Sequence, residues 1–258
     1  MSPWLRRFRA RPAAAVRLVC LPHAGGGPSS FRAWDALLPA SVELLAACYP
    51  GREERFTDPP VAGLADSGRA VAEALRPLLD RPWIAFGHSM GTIVAYETVR
   101  QLKDLGLPEP VRLYVSGRRA PDRGLGGAVH ISGEAQLRAE LERLGGTPAE
   151  ILDDPELRSA VLRNVRDDYR MAETYRPDPV TPLSCPVRVL GGAEDPELAG
   201  PDEDGAFGWS RFTTGPVSRR TLPGDHFYLV PRRREVVADV LTVLDPALMT
   251  AGSAGDMP

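Results

Sequence analysis

Trp83-Ile84-Ala85-Phe86-Gly87-His88-Ser89-Met90-Gly91 is the stretch on which the reading of this chain turns. Its first four residues are a short apolar run suited to a buried strand, and Thr92 to Arg100 can continue as a helix. A serine between two glycines at a strand-to-helix corner occupies a strained turn with its hydroxyl exposed. Glycine is needed there because a side chain would collide with neighbouring backbone. Five residues of such a pattern recur by chance, so the weight rests on the surroundings.

Upstream, Val16 to Leu21 reads as a strand ended by Pro22, and Trp4 to Phe8 as a short edge strand. The loop Pro22-His23-Ala24-Gly25-Gly26-Gly27-Pro28 lets backbone amides approach a ligand closely. Phe31 to Leu38 has helical spacing, Val42 to Tyr49 is the next strand, and Val61 to Leu79 is an amphipathic helix. Downstream, Val111 to Ser116 is a further strand. Strand and helix alternate, which predicts an α/β chain with a mostly parallel sheet and helices on both faces.

From Ser132 to Tyr175 strand signals vanish. Helical spacing appears in three groups, at Leu137, Leu141 and Leu144, at Leu157, Val161 and Val165, and at Tyr169, Ala172 and Tyr175. A helical block inserted into an alternating chain is expected to serve as a lid, here over about 132–178. The sheet resumes at Cys185 to Leu190 and again at Val217 to Leu222, with Trp209 to Phe212 as a short helix. Glu235 to Leu244 closes a single domain over residues 1–246. The small, polar stretch 247–258 is expected to be a disordered tail.

Composition narrows the function. A formal net charge of −3 argues against a nucleic-acid binder. Three widely spaced cysteines, Cys20, Cys48 and Cys185, exclude a Cys-rich zinc site and a dense disulfide framework, and their apolar settings suit buried inert thiols. No leader-like apolar core follows the basic N-terminus, and no apolar stretch reaches membrane-spanning length, so a cytoplasmic protein is expected.

A serine hydroxyl needs a base, and the base needs an orienting carboxylate. In this type of sheet the order is Ser, acid, His, each after a later strand. Of the four histidines, His23 and His88 precede or abut Ser89, and His130 comes before any carboxylate at a strand end. His226, in the loop Gly224-Asp225-His226-Phe227, is the remaining candidate. Asp195 and Glu194 both end the strand before it. Asp195 is preferred because Ser-His-Asp is the commoner template, whereas Asp225 is too near His226 to grip its ring. The amides of Met90 and of the glycine loop, at Ala24, are the candidate oxyanion hole.

Several stretches together resemble the type II thioesterases of polyketide and nonribosomal peptide assembly lines. They are Leu21-Pro22-His23-Ala24-Gly25-Gly26, Tyr49-Pro50-Gly51-Arg52, the Ser89 elbow, Val115-Ser116-Gly117-Arg118 and Gly224-Asp225-His226-Phe227. The resemblance implies an α/β-hydrolase fold. It also implies a discrete enzyme that clears aberrant or stalled acyl groups from the phosphopantetheine arm of acyl or peptidyl carrier proteins. Ser89 would be nucleophile, His226 base, Asp195 orienter, and Ala24 and Met90 the oxyanion donors, with no cofactor, nucleic acid or membrane involved. Carriers of this kind are acidic, so Arg118, Arg119, Arg123 and Arg232 to Arg234 are candidate docking residues. An esterase or acyltransferase on the same scaffold, or a non-catalytic binding module, are the alternatives.

Overall fold

Side chains alternate along the strands and so sort the core into two layers. In β2 (Val16–Leu21), Leu18 and Cys20 join one buried cluster while Val19 and Leu21 join the other. The computed structural model describes residues 2–123, 127–144, 153, 155–178, 182–202 and 205–244. The other strands are β1 (Leu5–Arg7), β3 (Val42–Ala47), β4 (Trp83–His88), β5 (Arg112–Ser116), β6 (Val187–Gly192) and β7 (Val217–Leu222). They form a seven-stranded sheet in the order β1-β3-β2-β4-β5-β6-β7. Only β1 pairs antiparallel.

Every residue of β2, β3 and β4 is buried, because helices cover both faces. Helices α2 (Leu64–Leu75) and α3 (Met90–Asp104) place Leu64, Val71, Ile93 and Val94 on the face shared with Val19 and Ala85. The short α1 (Arg32–Asp35) and the last helix place Trp34, Val236 and Val240 on the other, against Leu18 and Phe86. Each such aliphatic side chain contributes about 1.5–3 kcal/mol on full burial.

Between β5 and β6 the helical block forms α4 (Glu134–Leu144) and α5 (Pro155–Thr174), and the chain closes with α6 (Arg233–Leu241). Leu137, Leu141, Leu162, Val165 and Tyr169 make a third cluster, and it reaches Ala24 of the glycine loop. The block therefore packs on the loop after β2.

Connectivity sets the site. After β2 the chain adds β3 on one side, then returns to add β4 on the other, with Leu21 registered against Gly87. Loops leaving β2 and β4 diverge at that switch, and the crevice between them is where ligands bind in open α/β sheets.

Several boundaries differ from the sequence reading. The helix expected over Val61–Leu79 ends at Leu75 and tightens into a 3-10 turn at Arg76–Leu78, because Pro77 has no N–H for the ladder. That expected over Phe31–Leu38 shrinks to α1 behind a 3-10 turn, Pro28–Phe31. The second and third helical groups of the block fall on one helix, α5, which runs to Thr174. Around Trp209 the helix is 3-10 and kinked, with Phe207 and Gly208 at φ of 54° and 87°. The tail over 247–258 and residues 145–152 of the block lie outside the described residues.

Candidate active site

Ser89 ends β4 and caps α3 with φ 53° and ψ −121°, a conformation that costs an L-residue about 1–3 kcal/mol. The strain is held from both sides. Its N–H donates to the Ser116 carbonyl of β5 at 2.8 Å, and its own carbonyl accepts from Thr92 at 3.0 Å. The flanking glycines are steric necessities. A Cβ on Gly87 would lie 2.3 Å from the Gly91 carbonyl oxygen, and one on Gly91 would lie 2.1 Å from that of Leu21. The corner is thus wedged against the loop after β2.

Asp195 and His226 arrive from later strands. Asp195 leaves β6 and caps a 3-10 turn, its Oδ1 accepting the Glu197 N–H at 2.9 Å. Nδ1 of His226, in the loop after β7, lies 3.0 Å from each carboxylate oxygen of Asp195. The two residues are 1% and 3% exposed, so solvent does not compete for the contact. Gly192 permits the approach, since a Cβ there would meet the Asp225 carbonyl oxygen at 2.1 Å. A proton on Nδ1, donated to the carboxylate, leaves Nε2 as an acceptor. Glu194 is exposed, and Asp225 accepts the Phe227 N–H within its own loop at 2.8 Å. His226 lies against the elbow: its ring is 5.0 Å from that of His88, and a Cβ on Gly117 would touch both.

The loop after β2 closes in a tight turn. Gly26 N–H donates to the His23 carbonyl at 2.9 Å, and Gly25 has φ 80°, the pattern of a type II turn that places glycine third. Among the described residues, the N–H groups of Ala24 and Met90 have no protein acceptor. Both sit where the β2 loop meets the start of α3.

Two further histidines surround the site as neutral rings. His23 packs edge-on against Phe227 at 4.7 Å, and burial pushes its pKa down to about 3, helped by the charges of His226 and Arg52. His88 meets Ser116 Oγ at 3.0 Å, which in turn meets the Tyr228 hydroxyl at 2.7 Å. Burial holds His88 well below the usual range, with His226 and His23 adding to the effect. His130 sits in a 3-10 turn (Val129–Ile131) just before the helical block, paired with Glu173 of α5, which also accepts the Val129 and His130 amides at 2.9 and 3.0 Å.

The comparison with known proteins decides the family. A thioesterase-domain model matches residues 16–243. The chain belongs to the thioesterase family. Thioesterase PikA5 of Streptomyces venezuelae is 41% identical over 251 residues, spanning 97% of this chain and 87% of that protein. Two solved structures are close as well. The type II thioesterase BorB from the borrelidin cluster superposes with a TM-score of 0.85 at 37% identity, covering 95% of this chain and 98% of its own. RedJ, from the prodiginine pathway of Streptomyces coelicolor, gives 0.83 at 36% identity, with 91% and 88% covered. This thioesterase is accordingly a type II enzyme of the α/β-hydrolase fold, a hydrolase acting on thioesters.

The thioesterase also contains site residues that sequence reasoning missed. Arg52 and Asp168 form a buried ion pair, and Asp168 Oδ2 accepts the Gly25 N–H at 2.6 Å. Tyr-Pro-Gly-Arg flagged the first of these. Nothing in the helical spacing of α5 flagged the second. Arg118 corrects an expectation. It is 4% exposed rather than on a docking surface, and Nη1 has no hydrogen-bond partner. Burial lowers its pKa to about 10, with Glu197 opposing. Arg119 lies over the Phe207 ring and bonds the Ala199 carbonyl at 2.6 Å, while Arg123 and Arg232 to Arg234 are exposed. The three cysteines of the thioesterase are free and buried, and burial raises each thiol, that of Cys48 to about 11.

Proposed function

We propose that this type II thioesterase hydrolyses acyl groups from the phosphopantetheine arm of acyl or peptidyl carrier proteins, through Ser89, His226 and Asp195. The observation that carries the reading is the double 3.0 Å contact of Asp195 with His226 beside a strained serine corner. The names of relatives support the setting: one is a gramicidin S biosynthesis protein from Aneurinibacillus migulanus, another a type II thioesterase from the yersiniabactin biosynthetic pathway.

In this mechanism Ser89 Oγ attacks the thioester carbonyl while His226 Nε2 takes its proton. Negative charge develops on the carbonyl oxygen, which accepts hydrogen bonds donated by the amides of Ala24 and Met90. Each such donor is worth about 2.7–4 kcal/mol in the transition state. The C–S bond then breaks, the thiolate takes the proton from His226, and an acyl-Ser89 ester remains. Water, losing a proton to His226, attacks that ester and releases the carboxylic acid and free Ser89. Asp195 keeps the imidazole in the required tautomer and stabilises its protonated form. The chemistry needs no cofactor, because the substrate carries its own arm.

The helical block supports a lid, since its third cluster packs on Ala24. The free buried thiols suit a reducing compartment, and the cytoplasm is the location we assign. Among the described residues no helix is long and apolar enough to cross a membrane. Intact-mass measurement on a panel of acyl-loaded carriers tests the reading. The wild type should return them to the free-thiol form, and Ser89→Ala should leave them loaded. Turnover by Ser89→Ala would overturn it.

A further inference from the structure

Three amides follow one another in the turn after β2, and only one of them is left unclaimed. Gly26 N–H is held by the His23 carbonyl at 2.9 Å. Gly25 N–H is held at 2.6 Å by Asp168, a residue of α5. Ala24 N–H has no protein acceptor among the described residues.

Which way the Gly25 N–H points depends on how the middle peptide of the turn, between Ala24 and Gly25, is oriented. Types I and II differ by a flip of that peptide, which swings the N–H of the third residue to the opposite side. An acceptor fixed on the outer side of Gly25 therefore selects one form. Asp168 is that acceptor, and it is built to stay in place. It is 4% exposed and ion-paired with Arg52, itself 6% exposed, while Arg52 Nη2 also reaches the Asn164 carbonyl at 3.4 Å. One turn earlier on α5, Asn164 Nδ2 donates to the Gly51 carbonyl at 2.8 Å. Val165 closes the last space: a Cβ on Gly25 would lie 2.8 Å from its Cγ2. Helix α5 thus grips Tyr-Pro-Gly-Arg and the glycine turn together.

We propose that Asp168 is a positioning residue through which docking of α5 locks the Ala24–Gly25 peptide, so that Gly25 N–H is turned toward the helix and the Ala24 amide is the turn's donor to the reacting carbonyl. The inference rests on the reading of Ala24 as an oxyanion donor. It gives Arg52 a task in the same device: its guanidinium pairs with the Asp168 carboxylate and keeps it aimed at Gly25. Burial, with Asp167 adding to it, holds the pKa of that carboxyl above the usual range, and Arg52 and the Gly25 amide oppose the rise. Loss of the acceptor frees the peptide to flip and leaves a second donor, Gly25 N–H, competing with the first.

The test separates ground-state from transition-state binding. A trifluoromethyl ketone analogue of the acyl pantetheine forms a tetrahedral adduct with a serine nucleophile and places an oxyanion in the hole. The matching thioether only occupies the site. Asp168→Ala, which removes the acceptor, should weaken the ketone on the order of 10- to 100-fold and lower kcat in proportion, while thioether affinity and KM change less than about threefold. A purely structural ion pair would lower Tm and leave the ketone-to-thioether ratio unchanged at 25 °C, which would overturn the proposal. Should Asp168→Ala fail to fold, the Arg52→Met/Asp168→Leu double variant removes both buried charges together, a change that cores tolerate, and likewise strips Gly25 of its acceptor. An unaltered ratio in that folded variant would equally refute the role. Ser89→Ala distinguishes the two levels: if the ketone binds it as tightly as wild type, the nucleophile assignment is wrong, whatever Asp168 does.

Discussion

Asp195 meets the His226 ring with both carboxylate oxygens at 3.0 Å, inside a site from which solvent is nearly excluded. A neutral amide in place of the carboxylate would offer Nδ1 a donor as well as an acceptor and would favour the wrong tautomer. Asp195→Asn should therefore retain the fold and lower kcat by about 10³- to 10⁴-fold. Steady-state hydrolysis of an acyl thioester checks this, and near-normal turnover would remove Asp195 from the mechanism.

Strain at Ser89 implies a trade between stability and activity. With φ at 53°, the corner suits glycine better than serine. Ser89→Gly should raise stability by about 1 kcal/mol, net of glycine's larger unfolded-state entropy, while abolishing hydrolysis. Denaturant unfolding midpoints of the two proteins measure it, and a loss of stability would show that the hydroxyl, not the backbone, governs the corner.

Acid sensitivity follows from His23 and His88. Both are held neutral in the fold, His23 down to about 3, whereas an unfolded histidine takes a proton near 6.5. Below pH 6.5 the unfolded chain binds more protons than the native one, so stability falls as pH falls, until the folded pKa is reached near 3 for His23. From pH 7 to 5.5 the two together should cost about 2–3 kcal/mol. The slope of stability against pH in that window should drop by about half in His23→Ala, as seen in urea titrations. A parallel slope in the variant would count against the buried-neutral reading.

The carrier-docking role proposed for the exposed arginines can be tested. Arg232 to Arg234 follow the His226 loop and are exposed, with Arg232 reaching Glu235 at 3.3 Å. Reversing these charges should raise KM for an acyl carrier several-fold and leave a small acyl thioester unaffected, with a salt dependence weaker than wild type. Equal effects on both substrates would place the dock elsewhere. Arg118 is unsuitable for such a test, because a buried carboxylate beside Glu197 would unfold the site.

Local pattern reached far in this chain. Apolar runs such as Val16–Leu21 and Trp83–Phe86 are legible because a strand covered on both faces must be continuously apolar. The Ser89 corner is legible because only glycine tolerates carbonyl oxygens at 2.1–2.3 Å from where a Cβ would stand. His226 emerged because so few histidines were available in the required order. Helix ends were less legible, as Pro77 and the kink at Phe207 illustrate, since capping is settled by neighbours as much as by the residues themselves.

What the sequence by itself determined was the alternating α/β order, the serine corner and the shortlist for its partners, all consequences of side-chain chemistry read over a few neighbouring residues. Tertiary structure alone decided which carboxylate holds His226, that Arg118 is buried, and that Asp168, 143 residues from Gly25, accepts the Gly25 amide. The physical reason is separation along the chain. A buried ion pair or an amide's acceptor is defined by where two distant segments meet, and no local periodicity records that meeting.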